Sequence, residues 1–355
     1  MSFRTGTGRT AAAVFYGAAL FCAAALVSLS CGRPRPVLNI YTWSDYIKPE
    51  LVRRFEREHV CRVVIDTFES NEAMYAKLKA GASGYDLLTP SSYMVSLMHA
   101  QGMLRPIDHG LVPNLVNVDP DYLAIAVDKT MDHSVPYMIV VSGIAYLEGR
   151  VKDVVPSWRM FGRSDLAGRM TMFNDMRETI GAALKALGYS INTTSERELA
   201  EAEALAREWK KNIAKYDNEQ YKIGLASGEF LLVHAWNGDV FQVRKENADV
   251  RFLVPREGTV ISCDDLVIPA DARQPALAHA FIDFLHDPAV AAENTEAIYY
   301  LCPNRASYTL LPAEIRDNPG IFLAPELRAK SEMIADIGAA NALYIKVWDR
   351  LKAAR

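Results

Sequence analysis

The chain has 355 residues, half of them hydrophobic, with 43 acidic against 39 basic side chains and a formal net charge of −4. That composition excludes a disordered or low-complexity protein, and the mildly acidic balance argues against a nucleic-acid partner. The five cysteines show neither zinc-ligand spacing nor the density of a disulfide scaffold.

In chain order, Arg4 and Arg9 precede an apolar run from Ala11 to Leu29, and no acidic residue occurs before Cys31. Ser28-Leu29-Ser30-Cys31-Gly32 sets a small residue directly before a cysteine, a bacterial lipoprotein pattern whose usual leucine is displaced by one position. Residues 1–30 are thus expected to be a signal peptide, Cys31 the lipidated N-terminus, and residues 31–36 a short extended tether through Arg33-Pro34-Arg35-Pro36. An uncleaved transmembrane anchor is the alternative, because the run approaches the roughly 20 residues a span needs. Either way the remainder is extracytoplasmic, and it is long enough to require two lobes.

Val37–Ile40 reads as a strand and Ile47–Glu56 as an amphipathic helix with Pro49 in its first turn. Trp43, Ser44, Asp45 and Tyr46 therefore sit at the carboxyl end of the first strand, where ligands bind in open α/β sheets. Indole, carboxylate and phenol together suit an organic cation; the competing reading is core aromatics with Asp45 as a helix cap. Further strands are expected at Arg62–Phe68 and Tyr85–Pro90, the latter followed by Ser91 and Tyr93, with helices at Ala73–Ala80 and Met94–Gln101 and a short strand at Leu104–Ile107. This β-α-β-α order predicts a parallel sheet.

Ser134 to Tyr146 is an extended run long enough to pass between lobes, with a small, flexible pair at Ser142-Gly143. A second α/β pattern follows: Trp158–Leu166, a strand at Arg169–Phe173 and a helix from Met176 to Leu187. Glu196–Lys211 reads as a solvated helix and Phe230–Trp236 as a buried strand with Asn237-Gly238-Asp239 at its end. Leu266–Pro269 reads as a returning strand, Ala276–Leu285 and Pro288–Tyr299 as helices, and Glu326–Lys352 as largely helical. Asp175 and Glu178 open the Met176 helix on one side of its first turn. They fit a capping box and equally a pair of ligand carboxylates.

The segments Tyr41–Tyr46, Glu69–Leu78, Tyr85–Tyr93, Asp175-Met176-Arg177-Glu178, Trp236-Asn237-Gly238, Tyr300, Pro303-Asn304 and Asp336–Ala340 occur in an order and spacing that resemble one family. It is the substrate-binding proteins of bacterial polyamine ABC transporters, the spermidine/putrescine-binding group. The resemblance implies an α/β, two-lobed periplasmic-binding-protein fold of type II, closing by hinge bending over a ligand in the interlobe cleft. It implies lobes of residues 37–140 with 264–309 and 141–263 with 310–355, crossing at Val141-Ser142-Gly143 and near Cys263-Asp264-Asp265. It implies that Trp43, Ser44, Asp45, Tyr46, Ser91 and Tyr93 line the first-lobe wall. Asp175 and Glu178 would meet an ammonium group, Trp236 the methylene chain and Asp264 an inner amine, with Tyr300 closing the site. The expected partners are a polyamine, an ABC permease and, through the lipid on Cys31, the membrane; no cofactor is expected.

Two positions depart from the family pattern. Ser262 stands where relatives carry a tryptophan, and Ile334 where they carry a glutamine; both bear on which ligand is preferred. Tyr299-Tyr300 also resembles the paired tyrosines of ferric-ion-binding transport proteins, which makes a ferric-ion or other small-cation binder of the same fold the alternative. An enzyme is disfavoured: the chain has no G-x-S-x-G, no H-E-x-x-H and no phosphate-binding glycine loop. Two carboxylates on one helical turn would not flank a sugar ring.

Overall fold

A computed structural model describes residues 1–2, 35–124 and 126–354. The expected leader, the lipidation site at Cys31 and most of the tether lie outside the described residues. Val37–Thr42 (β1) alternates half-buried and buried positions before ending buried. It pairs in parallel with Arg62–Thr67 (β2) and with Leu87–Leu88 (β3), giving the order β2-β1-β3. Parallel neighbours need crossover helices, here Pro49–Glu58 (α1) and Asn71–Lys79 (α2), with Ser92–Ala100 (α3) leaving β3. Pro49 opens α1, and the Ser70 hydroxyl caps α2 by accepting from the Ala73 amide.

Val135–Leu147 (β4) is apolar on both faces and almost wholly buried, as a central strand should be. Its first half, Val135–Val141, pairs antiparallel with Ile261–Leu266, and its second half, Ser142–Tyr146, with Leu232–Trp236. Numbering the strands on from β4, these join Met170–Met172 (β5), Ile213–Tyr216 (β6), Leu232–Trp236 (β7), Val250–Leu253 (β8), Val260–Leu266 (β9) and Glu332–Met333 (β10). The second sheet runs β10-β9-β4-β7-β5-β6, with β8 also on β4. One strand thus changes partners at Val141/Ser142 and links two cores. The larger core gathers Ile144, Trp158, Phe161, Phe173, Trp209 and Tyr344; another gathers Leu38, Phe55, Tyr137, Phe281 and Leu285.

Gly143 sits in that strand, in register with Ala235. A Cβ there would lie 2.6 Å from the Leu253 carbonyl oxygen and 2.5 Å from the Phe252 ring. The close approach of β8, not a need for flexibility, demands glycine.

Several expected elements differ. Leu104–Ile107 forms only an isolated bridge from Leu104 to Pro269, and Trp158–Leu166 is two 3-10 turns. The returning strand lies earlier, at β9, and Val267 bridges Leu88 to attach it to the first sheet. Met176–Leu187 (α4) is a helix as expected. Glu196–Lys210 (α5) is not simply solvated: Leu199, Ala202, Ala206 and Trp209 recur at helical spacing and are buried, with Glu203 held by Arg207 and Arg350. Glu326–Lys352 is broken. Glu332 accepts from Lys185 Nζ at 2.7 Å and Ser190 Oγ at 2.5 Å, and these tertiary contacts draw the chain into β10. Helix resumes only at Asn341–Ala353. Cys61, Cys263 and Cys302 are free and buried.

Candidate functional site

Four turns converge on one cleft, each at the carboxyl end of a parallel strand: after β1 (Trp43–Tyr46), β3 (Ser91–Tyr93), β5 (Asp175–Glu178) and β7 (Trp236–Asp239). The cleft holds about 670 Å³ between its walls, open mouth included. Of the residues expected to line it, Trp43, Ser44, Tyr46, Ser91, Tyr93, Asp175, Glu178, Trp236, Asp264 and Tyr300 do so. So do Ser262 and Ile334, the two departures from the family pattern.

Asp45 is not among these wall residues. Its backbone is left-handed (φ 56°), its side chain is 66% exposed, and it stands outside the wall, 3.8 Å from Lys222. Nor does it cap α1, whose N-cap is Lys48 with no side-chain bond. The short polar side chain of aspartate tolerates this backbone, and the turn it makes aims the carboxylate outward.

The capping question at α4 resolves differently for each residue. Asp175 is the N-cap: its Oδ1 accepts from the Arg177 amide at 2.8 Å and the Glu178 amide at 3.0 Å, while its side chain lines the cleft. Glu178 does not complete a capping box. It accepts from Ser142 Oγ at 2.6 Å and, more weakly, from Trp236 Nε1 at 3.5 Å. Burial pushes the Asp175 carboxyl up to about 6. Burial, reinforced by the charge on Asp175, pushes Glu178 up to about 8, against the pull of the Ser142 and Trp236 hydrogen bonds. His234 lies 3.7 Å from Glu178 but does not help to ionise it. Neither of its ring nitrogens has a partner among the described residues, and burial drives its pKa down to about 3, so the ring is neutral.

Asp264 on β9 accepts from Ser91 Oγ at 2.6 Å and from the Tyr46 hydroxyl. Burial raises it to about 6 despite these bonds. Asn71 fixes Ser91 from both sides, accepting from its amide and donating to its hydroxyl, each at 3.0 Å. Trp236 stacks one face on Phe173 at 4.0 Å and so has its other face for the cleft. Trp43 packs against Phe68 and donates to the Thr89 carbonyl at 2.9 Å, which fixes its indole. Tyr300 donates to Asp239 at 2.6 Å, and its ring leaves no room for a Cβ on Gly238, which would come within 2.5 Å of it. Tyr299, a left-handed helix cap, goes elsewhere, against Phe241 and Lys245. The two tyrosines therefore do not act as a pair.

The wall also includes Asn71, Val140, Glu219, Lys222 and Asp239, which sequence reasoning missed. Asp239 was within reach, since it follows a recognised strand end. Glu219 and Lys222 belong to a turn and a short helix, Gln220–Ser227, that no apolar period signals. The carboxylates thus run in file, Asp175, Glu178, Asp264 and then Asp239, between indole and phenol faces. Such a groove matches a flexible apolar chain bearing separated cationic nitrogens.

Residues 50–323 match the model of the family described as bacterial extracellular solute-binding protein. The chain belongs to this family. Among its relatives is the spermidine/putrescine-binding periplasmic protein of Escherichia coli K12, 35% identical over 90% of this chain and 92% of that protein. A spermidine/putrescine ABC transporter structure from Listeria monocytogenes superposes with a TM-score of 0.84 at 30% identity, covering 90% of this chain and 99% of the other. A lipoprotein of Treponema pallidum superposes at 0.80 with 34% identity, covering 89% and 99%. This solute-binding protein has the two-lobed type II fold and is a binding protein, not an enzyme.

Proposed function

We propose that this solute-binding protein captures polyamines, spermidine and/or putrescine, outside the cytoplasm and delivers them to an ABC permease for import. The observation that carries the reading is the file of Asp175, Glu178 and Asp264 beside the faces of Trp43 and Trp236 in one cleft. In this reading Asp175 and Glu178 take a terminal ammonium, Asp264 an inner or second amine, and Trp236 the methylenes, while Ser44, Tyr46, Ser91, Tyr93 and Tyr300 shape the walls. The lobes are residues 37–140 with 264–309 and 141–263 with 310–355, hinged where β4 exchanges β9 for β7. The polyamine names of the relatives point the same way.

Membrane attachment through lipid on Cys31 belongs to the same proposal and rests on the leader pattern. The relative titled a lipoprotein supports it. Expressed in a lipoprotein-competent bacterium, the protein should partition into detergent; Cys31→Ser partitioning identically would favour an uncleaved span. Ligand capture is tested by calorimetry of the full-length chain in non-ionic detergent against putrescine, spermidine, spermine and amino acids. Saturable heat with polyamines alone is expected, and binding of amino acids instead would overturn the reading.

A further inference from the structure

One cation already stands in the cleft. Lys222 lines its wall, only 22% exposed, with Nζ 2.9 Å from Glu219, 3.8 Å from Asp239 and 3.8 Å from Asp45. Burial works against its charge, but Asp239 and Glu219 outweigh that and raise its pKa, so it is an ammonium at neutral pH. Its carboxylates close the far end of the file. Asp239 shares Tyr300 with the cleft wall, and the Tyr300 ring lies 5.2 Å from that of Tyr46, which bonds Asp264.

We propose that Lys222 is a resident ammonium that fills the outermost cation position of the cleft and so selects a diamine over longer polyamines. Asp175 with Glu178 and Asp264 remain for two ligand nitrogens, whereas Glu219 is paired with Lys222 at 2.9 Å and Asp239 lies 3.8 Å from the same ammonium. A third ligand nitrogen reaching that end finds Glu219 and Asp239 already shared with an ammonium and meets that like charge beside them. Discrimination of this kind works by repulsion as much as by attraction. The covalent tether makes Lys222 hard to displace, because its effective concentration at the site is high. The inference rests on the polyamine reading of the cleft.

The test compares the parent chain with Lys222→Met, which keeps much of the side-chain volume, and Lys222→Arg, which keeps the charge. Putrescine and spermidine are titrated calorimetrically at low and at high salt. The parent should bind putrescine more tightly than spermidine. Lys222→Met should improve spermidine binding by about ten- to hundredfold, the effect of one charge-assisted hydrogen bond, and change putrescine much less. Lys222→Arg should keep the parent's order. The shift should survive high salt, which would erase a long-range charge effect. A spermidine-to-putrescine ratio unchanged in Lys222→Met would overturn the inference while leaving polyamine capture intact. No binding of either amine by any of the three proteins would overturn both.

Discussion

Asp175 and Glu178 carry the most direct consequences of burial. Their carboxyls are pushed up to about 6 and about 8, so at neutral pH the empty cleft holds a proton on Glu178 while Asp175 is mostly ionised. An ammonium ligand favours the charged forms and must expel the Glu178 proton. Polyamine binding at pH 7 should therefore release protons, and affinity should rise from pH 6 to about pH 8, below the range in which amines begin to lose charge. Calorimetry in buffers of different ionisation enthalpy checks this; proton uptake on binding would contradict it. The ligand-free protein should behave oppositely. The folded state binds the Glu178 proton more tightly than the unfolded chain, so stability is greatest below the unfolded value of 4.5 and is lost as pH rises through about 8.

At the same scale, Asp175→Asn should keep the cap, because asparagine caps as well as aspartate. Glu178→Gln should leave the fold alone, because Glu178 bonds to no amide at the helix start. Each should weaken polyamine binding by about 1.5–3 kcal/mol, roughly ten- to hundredfold, with little change in the melting temperature of the empty protein. Both variants binding spermidine like the parent would return these residues to a structural role.

Among the elements, β4 carries Val140 on the cleft wall and sets Ser142 against Glu178. Its tolerance is lowest at Gly143, where a Cβ would meet the Leu253 carbonyl at 2.6 Å. Gly143→Ala should cost about 1–3 kcal/mol in urea unfolding, the usual cost of overpacking, because a sheet-bound carbonyl cannot step aside. A variant as stable as the parent would mean that β8 yields easily. The length of β4 was legible as a continuous apolar run, and the turns at Trp43, Tyr93 and Asp175 were legible as polar-aromatic residues after strands. What escaped was set by distant partners. Nothing local foretells that Glu332 will leave a helical pattern to accept from Lys185, or that Asp45 will turn outward. Lys222 was silent for the same reason: it is one lysine on a short helix, and only tertiary placement beside Asp239 sets it in the cleft.

For the whole molecule, we propose that the partner-switching strand β4 and its β9 neighbour act as the hinge between the two cores. Scattering should show a smaller radius of gyration with spermidine than without; an unchanged radius would count against closure. The central claim concerns where the cations sit, and a crystal structure of the protein grown with putrescine tests it most directly. One ligand nitrogen should lie within hydrogen-bond distance, about 2.7–3.2 Å, of Asp175 and Glu178, the other near Asp264, and the methylenes along the free face of Trp236. Putrescine bound away from these carboxylates, or a cleft left empty at saturating ligand, would contradict the account.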